Sequence, residues 1–344
     1  MTHQQRQAAA IGAIGMGALV LARAWRRRGA YDFQDRSVVI TGGSRGLGLV
    51  MARALAHEGA RLTLVARDEA ALQRAVRDIR DREPLAEVLT AVADVRRRNE
   101  VDGAVAQAFE RFGAVDVLVN NAGIIQVGPN DHMTLADYDD AMRTHFWGPL
   151  YTIAAALPHM RRQGHGRIVN ISSIGGRIAV PHMLPYSASK FALAGLSEGL
   201  RAELAPHDIV VTTVYPGLMR TGSPLNAMFK GRRPQEYAWF AISDSLPLAS
   251  MDAERAARQI ISACRRGDAE LIIGLQTRLA VLARAAAPGL FAEAMTLMNR
   301  LLPGPAAAGG NQPRPGRHSE SEWAGPPSPL TAPTYRAAKE NNET

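Results

Sequence analysis

Cysteine is nearly absent from this 344-residue chain. Cys264 stands alone, so no intrachain disulfide can form and the fold must be held by packing; that usage fits a reducing compartment. Within the helical pattern of 253–265, Cys264 reads as a small buried apolar residue. Aromatic residues are also scarce, at 6% against 47% hydrophobic residues overall, so the core must be built from Ala, Val and Leu. Acids are missing from residues 1–30, which carry Arg6, Arg23, Arg26, Arg27 and Arg28 and hold +5 of the formal net charge of +8. The other residues are close to balanced, which excludes the basic face a nucleic-acid-binding domain would present. A second long apolar run is lacking too, which argues against a purely structural membrane protein.

The one apolar run that exists is 8–22 (AAAIGAIGMGALVLA), followed by Arg23, Trp25 and Arg26–Arg28. As a helix, residues 8–25 would span about 27 Å at 1.5 Å per residue. That is marginal against a hydrocarbon core of about 30 Å. The favoured reading of residues 1–30 is an N-terminal membrane anchor, with Trp25 at the interface and the arginines on the cytoplasmic side. A cleaved signal peptide (Ala22-Arg23-Ala24 has the small-x-small form) and a soluble helix are the alternatives.

From about residue 33 the pattern changes. Buried-strand runs at 37–40, 61–66, 87–93, 115–119, 167–171, 209–215 and 270–273 alternate with helical patterns at 46–58, 68–82, 98–112, 134–161, 185–204 and 252–265. Such alternation predicts an α/β fold: a Rossmann-like, doubly wound parallel sheet of about seven strands with helices on both faces, over residues 33–275. Residues 218–250 break the rhythm with Pro224, Pro234 and Pro247 and follow a strand's C-terminal end, where a substrate lid belongs. Residues 276–302 read as an amphipathic helix, and 303–344, rich in Pro, Ala, Gly and Ser, as a disordered tail.

Function is legible at the ends of the strands. Thr41-Gly42-Gly43-Ser44-Arg45-Gly46-Leu47-Gly48 lies between the first strand and a helix. Glycines permit a tight turn and close approach to a pyrophosphate, and the helix N-terminus offers free N–H groups and a positive dipole. At the end of the second strand stand Ala66 and Arg67 where an acid would bind a ribose 2′-hydroxyl, while Arg45 can approach the same region. Two arginines and no acid favour a 2′-phosphate, hence NADP over NAD; Asp68 is better read as the N-cap of the next helix. Further along, Tyr186 and Lys190 share a helix face at i and i+4, and Ser173 follows the fifth strand at the sheet's ligand-binding edge.

The glycine turn, Asn120-Asn121-Ala122-Gly123, Ser173, Tyr186-Ser187-Ala188-Ser189-Lys190 and Pro216-Gly217-x-x-x-Thr221 stand in the order and spacing of the short-chain dehydrogenases/reductases. The chain resembles that family over about 35–275. The resemblance implies that Gly42, Ser44, Arg45, Gly46, Leu47, Gly48, Arg67, Asp94, Val95, Asn121, Ala122, Gly123, Tyr186, Lys190, Pro216, Gly217 and Thr221 border the cofactor, with Asp94 at the adenine and Lys190 at the nicotinamide ribose. It also implies catalysis by Ser173, Tyr186 and Lys190 and pairing into a homodimer or homotetramer through the helices of 134–161 and 185–204. No metal is called for.

Charge explains the chemistry. Negative charge develops on a carbonyl oxygen under reduction; Tyr186 would protonate it, and in reverse its phenolate would be the base. An ammonium at Lys190, taken about 4 Å away at an effective dielectric near 20, would favour phenolate by up to about 4 kcal/mol. His145, in His145-Phe146-Trp147-Gly148, departs from the family's usual Asn at the proton-relay position. Its imidazole would hold a water or carry protons, or else it is a buried histidine satisfied by backbone. The expectation is an NADP(H)-dependent carbonyl/alcohol oxidoreductase for a hydrophobic small molecule, membrane-associated on the cytoplasmic side or, alternatively, cytoplasmic. A catalytically weak cofactor-binding scaffold or redox sensor is the competing reading.

Overall fold

The computed structural model describes residues 31–245, 250–307, 309–321 and 332–344. The proposed anchor at 1–30 lies outside the described residues. Among those described, no helix is long and apolar enough to cross a membrane.

Seven parallel strands form the central sheet: β1 (Ser37–Thr41), β2 (Arg61–Ala66), β3 (Val88–Val92), β4 (Val117–Asn120), β5 (Gly166–Ile171), β6 (Ile209–Pro216) and β7 (Glu270–Ile273). Their order is β7-β6-β5-β4-β1-β2-β3, so the chain reverses direction across the sheet between β1 and β4. β1 is buried along its whole length, with Val39 opposite Thr63 on one side and Leu118 on the other. Alternation sorts its side chains between two cores. Val38 and Ile40, with Leu62, Leu64, Val117 and Val119, pack under α1 (Gly46–His57), α2 (Glu69–Arg82) and α8 (Ala253–Arg266). Val39, with Val65, Leu118 and Ile168, packs under α3 (Arg98–Phe112) and α5 (Gly148–Gln163). Each such fully buried aliphatic side chain contributes about 1.5–3 kcal/mol of transfer free energy. Cys264 lies on α8 inside the first core, 3% exposed, where burial pushes its thiol up to about 12.

A polar ladder crosses the sheet centre. Thr152 donates to Asn120 Oδ1 at 2.5 Å, Asn120 Nδ2 to Asn170 Oδ1 at 2.9 Å, and Asn170 Nδ2 to Ser197 Oγ at 2.8 Å. All four side chains are buried, and each finds a partner, as burial requires.

Three expectations need correcting. The helical stretch at 134–161 is not one regular helix: α4 (Leu135–Met142) passes through a π-helical turn, Arg143–Trp147, into α5. Residues 276–302 form two helices, α9 (Leu275–Ala286) and α10 (Pro288–Leu301), because Pro288 lacks an N–H and pushes Ala287 out of helical geometry, to φ −141°. The tail is not disordered where it is described. Arg314–Pro315 pairs antiparallel with Met228–Phe229, and α11 (Ala332–Glu340) buries Thr334 and Ala338. Composition counts apolar burial, whereas this segment docks largely through hydrogen bonds from side-chain amides and main chain.

The insertion 218–250 carries α7 (Arg233–Ser245), and its own small core joins Val127, Phe229, Tyr237, Phe240 and Ala241. Two buried contacts tie it to the sheet domain: an ion pair of Lys230 with Asp137 on α4, and a hydrogen bond between His182 Nδ1 and Glu236 at 2.9 Å. Trp239 Nε1 donates to the second Glu236 oxygen at 2.7 Å.

Candidate active site

A cavity of about 850 Å³ opens along the carboxyl ends of the strands, where the sheet order reverses. One end is lined by Gly42, Ser44, Arg45, Gly46, Leu47, Arg67, Asp94, Val95, Asn121, Ala122 and Gly123; the other by His145, Ser173, Tyr186, Lys190, Pro216, Gly217 and Thr221. Every candidate cofactor and catalytic residue therefore reaches one cavity except Gly48, which works behind the wall. A Cβ at Gly48 would lie 2.1 Å from the Gly42 carbonyl oxygen, so only glycine lets α1 start this close to the turn. Gly42 itself takes φ +66°.

Asn121 holds the turn in place. Its Nδ2 donates to the carbonyls of Thr41 (3.2 Å) and Gly42 (3.3 Å), while Thr41 Oγ1 accepts from the N–H groups of Asn121 and Ala122. The cradle fits a dinucleotide: a long cavity, a glycine turn with no side chain to fill it, and a helix N-terminus facing inward. At the far end of β2 both Arg45 and Arg67 are exposed beside the cavity. Asp68 accepts from Ala71 N–H at 3.0 Å and caps α2, as its position implied. Asp94 lines the cavity too, but its carboxylate is already gripped by Arg96, whose Nε and Nη2 lie 2.7–3.1 Å away. Burial alone would raise that carboxyl; the Arg96 hydrogen bonds outweigh it and leave it below the ordinary range.

At the chemical end, α6 (Leu184–Leu204) presents Tyr186 and Lys190 on one face. Ser172 Oγ donates to the Lys190 carbonyl at 3.0 Å and fixes α6 against β5. Ser173 Oγ accepts from Gly175 N–H at 3.0 Å, which aims the hydroxyl. Gly175 leaves room for the Tyr186 ring, as a Cβ there would sit 3.0 Å from Cε1. Burial raises the Tyr186 phenol above its ordinary value, and a hydrogen bond from Ser173 opposes the rise. Lys190 Nζ donates to the Ile171 carbonyl at 2.8 Å, lies 5.6 Å from the Tyr186 ring centroid, and is drawn down to about 7 by burial. Burial thus pushes the phenol up and the ammonium down, because the cavity wall that brings the two groups together also removes them from water.

His145 is explained by its surroundings. It sits in the π-helical turn, 1% exposed, with Nε2 accepting from Ile124 N–H at 3.1 Å and Nδ1 2.8 Å from Ser189 Oγ. Ser189 spends its own proton on the Tyr186 carbonyl, so the ring carries its hydrogen on Nδ1. Both nitrogens are thus engaged by protein, and burial, with Lys190 adding, holds the imidazole well below its ordinary pKa. The geometry suits a neutral strut between the Ala122–Ile124 loop and α6, edge-on to Tyr186 at 5.3 Å. His145→Asn is expected to retain at least half of the wild-type rate, about 1.4 kcal/mol corresponding to a tenfold change. His145→Ala, which orphans the Ile124 N–H, should lower Tm by several degrees while leaving the pH profile of kcat unmoved. An altered pH profile would mean that the imidazole itself handles protons.

Sequence reasoning missed the rear wall. Phe291, Met295 and Met298 of α10 face the cavity, as do Trp239, Phe240 and Asp244 of α7. The signal was present: 291, 295 and 298 repeat at i, i+4, i+7. Asp244 and Glu343 gave no signal. Burial pushes both up to about 8.

The short chain dehydrogenase family matches residues 36–228. Among curated proteins, the chain is 34% identical over 291 residues to "Dehydrogenase/reductase SDR family member 7B" of Bos taurus, covering 83% of this chain and 87% of that one. It is 36% identical over 262 residues to "Putative oxidoreductase SadH" of Mycobacterium tuberculosis, covering 74% and 91%. Among solved structures, levodione reductase superposes with a TM-score of 0.62 at 30% identity over 72% of this chain and 99% of that one. A short-chain dehydrogenase from Streptomyces avermitilis gives 0.65 at 31% identity over 77% and 98%.

Proposed function

Because this chain belongs to the short-chain dehydrogenase/reductase family and is an NAD(P)-dependent oxidoreductase, we propose that it interconverts a carbonyl and an alcohol on an apolar small molecule with NADP(H). The observation that carries this reading is the convergence of Ser173, Tyr186 and Lys190 with the glycine turn on one cavity. A bound nicotinamide supplies or removes the electron pair and its hydrogen. Ser173, held by Gly175, orients the substrate oxygen. Tyr186, kept protonated near neutrality by burial, donates its proton to that oxygen during reduction. Lys190 positions the ribose and steadies the phenol's charge. The intact set argues against a scaffold without turnover.

Three features support the finer points. Arg45 and Arg67, with Asp68 committed to its cap, leave cationic donors and no free acid at the second strand's end, which suits a 2′-phosphate. Phe291, Met295, Met298, Trp239 and Phe240 make the substrate wall apolar, and residues 218–245, with α7, form its lid. The α9–α10 pair exposes Leu279, Leu282, Leu290, Leu297 and Leu301, each more than half exposed; together with the arginine-flanked apolar run of 8–25, this fits association with a membrane surface. Exposed Trp147, stacked on Tyr151 at the start of α5, fits pairing through α4–α5 and α6.

The test is a screen of apolar ketones and alcohols with both cofactors, followed at the nicotinamide absorbance. NADPH is expected to be preferred over NADH. Replacing either Arg45 or Arg67 by alanine should weaken NADPH binding by about 10–100-fold, since each charged hydrogen bond contributes about 1.5–3 kcal/mol, and leave NADH nearly unchanged. Equal losses for the two cofactors would remove the 2′-phosphate assignment.

A further inference from the structure

The end of the described chain lies on the glycine turn. α11 packs against α7, with Thr334 Oγ1 and Ser245 Oγ sharing a hydrogen bond at 2.7 Å. Beyond it, the Asn341 carbonyl accepts from Gly46 N–H at 2.8 Å, at the first residue of α1. Asn342 Nδ2 donates to the carbonyls of Ser44 (2.8 Å) and Ala71 (3.2 Å), and Arg74 Nε donates to Asn342 Oδ1 at 2.7 Å. Arg53 clamps the same segment, reaching Asn341 Oδ1 at 3.0 Å and the Glu340 carbonyl at 2.7 Å. The Glu343 carboxyl then enters the cavity between the two loops that would flank a diphosphate. A Cβ on Gly46 would sit 2.3 Å from Glu343 Oε1, and one on Gly222 would sit 2.6 Å from Oε2. Glu343 Oε2 is shut off from solvent and has no hydrogen-bond partner.

We propose that residues 332–344 are an intramolecular competitor of the dinucleotide, which must leave the glycine turn before the cofactor can load. The inference rests on the cofactor reading above. Two conflicts carry it. The Gly46 N–H, among the donors a phosphate oxygen would use at a helix N-terminus, is taken by the Asn341 carbonyl. The carboxyl of Glu343 fills space between Gly46 and Gly222 that a diphosphate would need. Burial pushes this carboxyl up to about 8, Arg45 opposing and Asp244 adding, so the docked segment has settled by giving up its charge where a diphosphate keeps its own. Beyond α11, residues 341–343 are held by hydrogen bonds to Gly46, Ser44, Arg53, Arg74 and Asn226, which suits a segment end that docks and releases rather than one that completes the core.

The experiment titrates NADPH by fluorescence into the full-length protein and into full-length Asn342→Ala/Glu343→Ala, which keeps α11. Because apparent Kd scales inversely with the open fraction, Kd is expected to fall about tenfold in the variant if the segment is docked nine-tenths of the time. In parallel, the wild type is digested lightly with trypsin, and cleavage after Arg336 and Lys339 is expected to quicken when NADPH is saturating. An unchanged or larger Kd in the variant, or cleavage that NADPH leaves alone or slows, overturns the proposal. If both proteins bind NADPH with one Kd, the competitor idea alone falls; if neither binds NADPH or NADH, the cofactor reading falls with it.

Discussion

Tyr186→Phe should lower kcat by at least about 10³-fold, within the range that a positioned general acid supplies, while NADPH affinity stays within about twofold. The change removes one hydroxyl and keeps the ring. That ring packs edge-on to His145 and against Gly175, so the wall of the cavity survives. The dinucleotide cradle, held by Asn121 and Thr41, lies on other elements. Loss of rate without loss of binding therefore isolates the proton transfer. The direction of the phenol's shift adds a second reading: burial keeps Tyr186 protonated through neutrality, so ketone reduction should be flat there and alcohol oxidation should climb with pH. A Tyr186→Phe protein within tenfold of wild type on every substrate would mean that another group delivers the proton.

Lys190→Met is expected to lose activity by at least about 10²-fold and yet to gain stability. Lys190 is 4% exposed and burial draws it from 10.5 down to about 7, so the unfolded chain binds its proton more tightly than the folded one does. Stability is thus reduced in full below about pH 7, recovers as pH rises, and is free of this cost only above the unfolded pKa of about 10.5. At about 1.36 kcal/mol per unit the ceiling is about 5 kcal/mol. Relaxation, and the Ile171 carbonyl left without its Nζ–H partner, should reduce the net gain to about 1–2 kcal/mol. That corresponds to about 2–6 °C in Tm at pH 6 for a domain of this size. The gap between Lys190→Met and wild type should close as pH approaches 10. A variant less stable than wild type at pH 6 would mean that the ammonium is already compensated in the folded protein.

The sheet was readable because parallel strands buried on both faces are continuous apolar runs, and Ser37–Thr41 is such a run. The glycine turn and the Ser-Tyr-Lys set were readable because their chemistry demands particular residue types at fixed spacing. What escaped notice depends on contacts distant in sequence. Asn170 looks like an ordinary strand polar residue until β5 sets it beside Asn120. The π-helical turn at 143–147 left no compositional mark, and it is there that His145 Nε2 accepts from the Ile124 N–H. The break at Ala287 could have been taken from Pro288 alone. The docking of Asn341–Glu343 could not, since a run of Asn, Asn and Glu after a helix has the composition of a solvated end, and its partners Arg53, Arg74 and Asn226 lie more than a hundred residues away.

The sole thiol of the chain lies on the core-facing side of α8, mostly in its uncharged, unreactive form at neutral pH. Maleimide dyes and spin labels should therefore leave the native protein untouched, and a cysteine introduced at any exposed site should accept one reporter without prior removal of the natural one. Distance measurements between two such reporters can then follow motion in this molecule against a silent background.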